Sequence, residues 1–198
     1  MSEVANPLGL NPTTLMKEPD YPTLQEHILS HRIFESELHG LMHWKQVERN
    51  GLLLANETGA DVAVVRLFAL FHDSKRADDG FDMEHGPRGA EFAKTNFEEH
   101  RLDITREQFD KLYHTCKYHT TELRSGDATI DTCYDADRLD LGRVGIKLDP
   151  SKMATNFGTR IAQRSLNDDV EPGSFREWLE KNQNAFLHPH PLRHSEQP

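Results

Sequence analysis

Apolar residues recur at helical intervals along most of this chain, and the pattern predicts its secondary structure. Within residues 37–57, Leu41, Trp44 and Val47 are three positions apart and therefore share one side of a helix. Residues 62–71 are nearly all apolar, which is typical of a helix buried on every side. No stretch clearly shows the two-residue alternation of a strand. The pattern therefore predicts an all-α fold.

Residues that commonly begin helices mark the starts of further elements. Asp61 is well placed to cap the apolar helix, and Pro87 suits the first position of another. Residues 105–108 (TREQ) and 174–177 (SFRE) have the spacing of capping boxes. Together these signals predict a bundle of about six to eight helices, at residues 23–31, 37–57, 62–71, from 87 onward, 105–119, 129–145, 150–164 and 175–186.

These helices are expected to form one domain, residues 23–187, between two irregular segments. Residues 1–22 contain four prolines and little periodicity, which predicts an irregular lead-in. Residues 188–198 (HPHPLRHSEQP) are expected to be a loose tail with exposed histidines. A chain of 198 residues is long enough for one such domain with a full hydrophobic core.

Composition and charge narrow the classes of function. The chain has 23 Lys and Arg against 33 Asp and Glu, and this net charge of −10 disfavours a broad contact with nucleic acid or an anionic membrane. Its two cysteines lack CxxC spacing, which disfavours a disulfide scaffold and a thiolate zinc site. With no long apolar run and no signal peptide, we expect a cytoplasmic protein with a small-molecule partner. The sequence leaves a homo-oligomer open.

The most informative polar residues directly follow the apolar helix. His72 and Asp73 end the run, so core packing would hold an imidazole and a carboxylate side by side. This combination is well suited to a metal site. Alone, however, a His-Asp pair is a weak signal that needs support from the rest of the chain.

Support comes from a second polar cluster, in residues 129–145. Asp137 and Asp140 are three apart and therefore neighbours on a helix, whereas Asp135 points elsewhere. Such aspartates among apolar neighbours are costly unless they are neutralised. Arg138 and Arg143 are available to pair with some of them, and a metal ion would neutralise another.

In chain order, His43, His72-Asp73 and Asp137 form the series H…HD…D. This series resembles the ligand motif of the HD superfamily of metal-dependent phosphohydrolases. The flanking segments HWKQV, ALFHDSKR and DADRLDLGRVG are also similar to that superfamily, and the Ala-Asp-Arg-Leu core of the last resembles its stringent-response nucleotide hydrolases. The resemblance covers about residues 37–146. It implies an HD-domain helical bundle with His43, His72, Asp73 and Asp137 as metal ligands.

The resemblance also implies a reaction and a cofactor. Two imidazoles and two carboxylates suit Mn, Fe, Co, Ni or Zn rather than a soft metal. Such an ion acidifies water and neutralises charge at a phosphorus centre. The implied activity is hydrolysis of a phosphoester or phosphoanhydride in a nucleotide or other small phosphorylated metabolite. One ion is firmly implied, and a second is left open.

Several other residues are candidates for catalysis or substrate binding. Asp73 is suited to orient the nucleophile as well as to bind metal, and Asp79 or His85 to shuttle a proton. The position three after Asp73, acidic in many relatives, is Arg76 here. The candidates for holding phosphate are Lys75 and Arg76 beside the ligands and Arg88 and Arg138 farther along the chain.

The sequence leaves the role of three further histidines open. Relatives with two metals carry extra histidines between the HD pair and the last aspartate, where His85, His114 and His119 lie. His114 and His119 are candidates for binding either substrate or a second ion. Because they are five residues apart, both can reach one small site only if their helix ends between them.

Two alternative functions remain. Some HD-fold proteins are mixed-valent di-iron oxygenases, which would need six ligands, drawn here from His43, His72, Asp73, His85, His114 or His119, and Asp137. The other alternative is a non-catalytic HD module that binds a nucleotide. The complete H…HD…D series weighs against that loss of activity.

Overall fold

The computed structural model describes residues 20–187, so the predicted tail and nearly all of the lead-in lie outside the described residues. Between residues 20 and 187 the chain forms eight α-helices and three short 3-10 helices, with no strand, which confirms the all-α prediction. The α-helices are α1 (Asp20–Ser30), α2 (Leu41–Thr58), α3 (Val62–Phe71), α4 (His85–Glu98), α5 (Arg106–Tyr118), α6 (Ala128–Arg138), α7 (Asn156–Asn167) and α8 (Phe175–Leu187).

Helix α3 lies at the centre of the bundle, as its composition predicted. The Asp61 carboxylate caps it by accepting hydrogen bonds from the amides of Ala63 and Val64, at 2.9 and 3.3 Å. Nine of its ten residues are buried, and α2, α4, α5 and α6 pack around it. Core packing therefore fixes the end of α3, where the chain continues into His72 and Asp73.

Helix α4 approaches the end of α3 closely because it carries glycines at two contact positions. A Cβ at Gly89 would lie 2.6 Å from the carbonyl oxygen of Phe71, and one at Gly86 would lie 2.7 Å from that of Cys116. Both neighbours are backbone atoms, which cannot easily move. The two glycines thus allow the first turn of α4 to contact the ends of both α3 and α5.

The largest differences from the predicted helix boundaries lie at the start of α2, the end of α6 and the start of α7. Helix α2 begins at Leu41 rather than at residue 37, and before it the Ser36 hydroxyl accepts a hydrogen bond from the His39 amide at 2.6 Å. Helix α6 ends at Arg138, and a separate 3-10 helix covers Leu141–Val144. Helix α7 begins at Asn156, after a turn held by Asp135 of α6.

None of the helices between residues 20 and 187 is long and apolar enough to cross a lipid bilayer.

We expect Gly89→Ala to lower the free energy of unfolding by about 1 to 3 kcal/mol, because the new Cβ overpacks the contact between α3 and α4. This loss should outweigh the gain of about 1 kcal/mol in helix propensity. Urea unfolding measures the change. Gly173→Ala is the matched control, since a Cβ there meets no atom within 4 Å. Equal stability of the two variants would show that α4 can shift away from α3.

Candidate metal centre

The four residues of the H…HD…D series lie together at one end of α3. His43 comes from the first turn of α2, and Asp137 from the last turn of α6. The Nε2 atom of His43 is 3.0 Å from Nε2 of His72, 3.3 Å from Oδ1 of Asp137 and 3.5 Å from Oδ2 of Asp73. We call these four residues the His43 group.

A second cluster shares Asp73 with the first. His85 is the first residue of α4, and His119 immediately follows α5. Their Nε2 atoms are 2.9 Å apart and lie 3.2 and 3.9 Å from Oδ1 of Asp73. We call His85, His119 and Asp73 the His85 group. The two oxygens of one carboxylate therefore face two different pairs of imidazoles.

The spacing and chemistry of both groups fit divalent metal ions. Neighbouring ligands of a six-coordinate ion with bonds of about 2.1 Å are about 3 Å apart. The observed separations of 2.9 to 3.9 Å between ligand atoms are close to this value. Imidazole nitrogen and carboxylate oxygen together suit Mn, Fe, Co, Ni or Zn. In the His43 group, the buried residues His43, His72 and Asp73 offer ligand atoms that all lie within 4.8 Å of one another. In the His85 group, the buried residues Asp73, His85 and His119 do the same.

Hydrogen bonds orient all four imidazoles in the same way. In each ring Nδ1 contacts an oxygen that can only accept, so Nδ1 donates its proton there and Nε2 is the nitrogen that faces the cluster. Metal-binding histidines commonly have this arrangement. The acceptors are Phe68 O for His72 (3.1 Å), Cys116 O for His119 (2.8 Å), Asp82 O for His85, and Asp140 Oδ2 for His43 (2.7 Å).

The electrostatics of the His43 group favour a bound cation. Burial lowers the pKa of His72 to about 3, so this imidazole is neutral and able to bind metal at pH 7. Burial acts to raise the pKa of Asp73 and Asp137, but His43 and His72 hold both below the ordinary value. Burial also opposes a charge on His43, yet three surrounding carboxylates raise its pKa to about 10. Those carboxylates would equally stabilise a metal ion.

Among the candidate phosphate ligands, Arg76 lies nearest to these groups. Its guanidinium is buried, and Nη1 is 3.5 Å from Oδ1 of Asp73 and 3.3 Å from Nε2 of His85. Its Nη2 donates to the carbonyl oxygen of Gly80 at 2.8 Å, which ties the following loop to the cluster. Arg76 thus adds a fixed positive charge beside the shared carboxylate.

Three other candidates lie in the loops around the cluster. The Lys75 ammonium is 3.8 Å from the centre of the Phe92 ring and donates to the carbonyl oxygen of His31. Asp79 binds Ser36 and His39 on the surface, the latter at 3.0 Å. Arg88 pairs with Asp82 and donates to the carbonyl oxygen of Lys75 at 2.9 Å. These contacts hold the loop between α3 and α4 in place.

The structure does not bring His114 or Arg138 into either group. His114 Nε2 is 2.8 Å from a carboxylate oxygen of Glu122, on a half-exposed face of α5. His119 immediately follows α5 and faces His85, whereas His114, five residues earlier, lies on a different side of the helix. The Arg138 guanidinium donates to backbone carbonyl oxygens, at 2.8 to 3.0 Å. These belong to Glu122, Leu123 and Lys152.

Asp135 and Asp137 have different environments, as the helical spacing predicted. Asp135 is buried away from the His43 group and accepts hydrogen bonds from the amides of Ala154 and Thr155, at 2.7 and 2.8 Å. It also accepts one from the Thr155 hydroxyl at 2.7 Å. Asp135 therefore joins α6 to the start of α7, and Asp137 alone of the pair reaches the imidazoles.

Sequence reasoning missed the roles of Asp140 and Arg176. Asp140 was recognised only as a neighbour of Asp137, and Arg176 had no predicted role. In the structure Asp140 accepts a hydrogen bond from His43 and pairs with Arg176. The only signal in the sequence was an aspartate on an apolar helical face, which requires a partner.

Comparison with known proteins supports the fold. A crystal structure of a protein described as a predicted HD superfamily hydrolase, from an uncultured Thermotogales bacterium, matches with a TM-score of 0.61. The match covers 87% of this chain and 99% of that protein, at 21% identity. No family model and no curated protein matches the sequence. The likeness shows a shared fold, which agrees with the expected HD-domain helical bundle.

We expect the wild-type protein to bind about two divalent ions, one for each group of ligands. His119→Ala should bind about one, because it disrupts only the His85 group, whereas Asp73→Ala should lose both. Metal analysis of protein loaded with Co²⁺ and then desalted measures these contents. His114→Ala is the control and should match wild type. If His119→Ala still bound about two ions, the His85 group would not be a metal site.

We also expect the two neighbouring aspartates of α6 to separate metal binding from stability. Asp137→Ala should lose the ion of the His43 group. Asp135→Ala should keep it but lower the free energy of unfolding by about 2 to 3 kcal/mol, because two buried amides lose their acceptor. Metal analysis and urea unfolding of both variants test this. The opposite assignment would follow if Asp135→Ala lost metal and Asp137→Ala kept it.

Proposed function

We propose that this protein is a metal-dependent phosphohydrolase that cleaves a phosphoester or phosphoanhydride in a nucleotide or other small phosphorylated metabolite. The observation that carries the proposal is the pair of imidazole groups that share the Asp73 carboxylate, with Arg76 beside them. This arrangement concentrates ligands for divalent ions and a fixed positive charge in one place. Phosphoryl transfer needs both, since negative charge must be stabilised.

His43, His72, Asp73 and Asp137 would hold one ion, and His85, His119 and Asp73 a second. Bound there, divalent ions supply Lewis acidity, which makes water a better nucleophile and neutralises charge on phosphoryl oxygens. The fixed Nδ1–H bonds keep each imidazole in the form that binds metal.

The protein's own side chains would position the substrate. The Asp137 side chain is 19% exposed, whereas those of His43 and His72 are fully buried, so a phosphoryl group would enter from the Asp137 side. Arg76 would attract that group and offset the charge of Asp73. The Asp73 carboxylate, central to both groups, would orient the attacking water.

A small substrate fits the charge of the protein better than a polymer does. The net charge of −10 disfavours the extended phosphate backbone of nucleic acid. Close to the cluster the local charge differs from the net charge of the chain, because Arg76 and any bound ions are positive. We therefore place nucleotides and phosphorylated metabolites first among the substrates to be tested.

The shared carboxylate also favours a second candidate, a di-iron oxygenase. That function needs six ligands around two ions, and His43, His72, Asp73, His85, His119 and Asp137 supply this number and type. Iron content and dependence on oxygen distinguish it from hydrolysis. A non-catalytic nucleotide-binding module is less well supported, because every ligand of the H…HD…D series is present.

The test is a phosphate-release screen of nucleotides and phosphorylated metabolites with Mn²⁺, Co²⁺, Ni²⁺ or Mg²⁺ added. We expect at least one substrate to release phosphate. His72→Ala should reduce the rate at least about 100-fold, because it removes a ligand of the His43 group.

His114→Ala is the matched control and should keep the metal content of wild type, since His114 lies outside both groups. About two irons with oxygen consumption and no phosphate release would favour the oxygenase. Metal bound without turnover of any kind would favour the binding module.

A further inference from the structure

Asp140 holds the His43 imidazole from behind. It follows the end of α6, and its carboxylate is completely buried. Its Oδ2 accepts a hydrogen bond of 2.7 Å from Nδ1 of His43, a residue 97 positions earlier in the chain. On the other side of the ring, Nε2 faces His72 and Asp137. Asp140 is thus the outer partner of a candidate metal ligand.

Asp140 is in turn held by an arginine from the last helix. Arg176, in the first turn of α8, donates from Nε to Oδ1 at 2.6 Å and from Nη2 to Oδ2 at 2.7 Å. A two-bond pair of this kind fixes the plane of the carboxylate as well as its position. Arg143 adds a hydrogen bond to the Asp140 carbonyl oxygen at 3.2 Å. The carboxylate therefore has no freedom to turn away from His43.

His43 differs in this respect from the other three imidazoles. The Nδ1 atoms of His72, His85 and His119 contact carbonyl oxygens three or four residues earlier in their own segments. Local backbone orients those rings, and no distant element is needed. His43 alone among the four donates its Nδ1 proton to a side chain, and that side chain is paired with Arg176 of α8.

We propose that Asp140, clamped by Arg176, is a positioning residue that sets the metal affinity of the His43 group. Donation of the Nδ1 proton to a carboxylate keeps the Nε2 lone pair directed at the ion and makes it a stronger ligand. Helix α8, which supplies no metal ligand itself, is thereby part of the metal centre. This inference rests on the metal centre of the proposed function but not on its substrate.

The test compares Asp140→Ala with Arg176→Gln by calorimetric titration of Co²⁺ into metal-free protein. Both variants break the same buried ion pair, so both should unfold at a lower temperature. Asp140→Ala should bind Co²⁺ at the His43 group about 10- to 100-fold more weakly. Arg176→Gln keeps the acceptor of His43 but no longer fixes it, so it should lose affinity by a smaller factor than Asp140→Ala.

Asp140→Asn adds a conservative check, because its amide oxygen can still accept the His43 proton. We expect it to recover part of the affinity lost in Asp140→Ala, and it serves as the test if the alanine variant fails to fold. Equal loss of affinity in all three variants, following their loss of stability, would overturn the proposal and leave Asp140 a structural residue. Unchanged affinity in Asp140→Ala would also overturn it.

Failure of the inference is distinguishable from failure of the proposed function. Wild-type protein that binds no Co²⁺ would overturn both. Tight binding by wild type and by Asp140→Ala alike would reject only the role of Asp140. Metal binding with no phosphate release would leave the role of Asp140 intact and remove the hydrolase.

Discussion

The shared carboxylate of Asp73 is the interaction on which the rest of the site depends. One buried side chain contacts two pairs of imidazoles and a guanidinium, and Asp137 of α6 contacts one of the same imidazoles, so five helices bring their ends to the same point. A buried carboxylate is strongly unfavourable without such partners. Because the buried polar side chains need these partners, they fix the relative positions of α2 through α6. Apolar packing alone would fix them less tightly, since a core tolerates changes in side-chain shape.

The surrounding bundle supplies what this polar cluster lacks, a rigid apolar support. Helix α3 is buried at nine of its ten residues and ends at the cluster, so its last residues cannot move without disturbing the core. Gly86 and Gly89 allow α4 to approach close enough for His85 to reach Asp73. Arg176 extends the support to α8 through Asp140. The stability of the bundle and the geometry of the candidate metal centre are therefore coupled through a small number of buried contacts.

The fold was largely predictable because helical periodicity and capping signals are local. Asp61 and Thr105 cap the helices that the sequence assigned to them. The prediction of the start of α7 failed because a distant side chain binds the backbone there. Asp135 accepts hydrogen bonds from the amides of Ala154 and Thr155, and α7 begins only after these residues. The local sequence of residues 150–156 does not indicate this contact, because the carboxylate belongs to another helix.

For the site, the sequence by itself indicated the candidate ligands and their order, because His72 and Asp73 directly follow an apolar helix that core packing holds. It also separated Asp137 from Asp135 through helical spacing. Only the tertiary structure chose His119 over His114, since that choice depends on which side of α5 packs against α4. The same holds for Asp140 and Arg176. Their pairing joins helices far apart in sequence, and such a contact exists only once the bundle has packed.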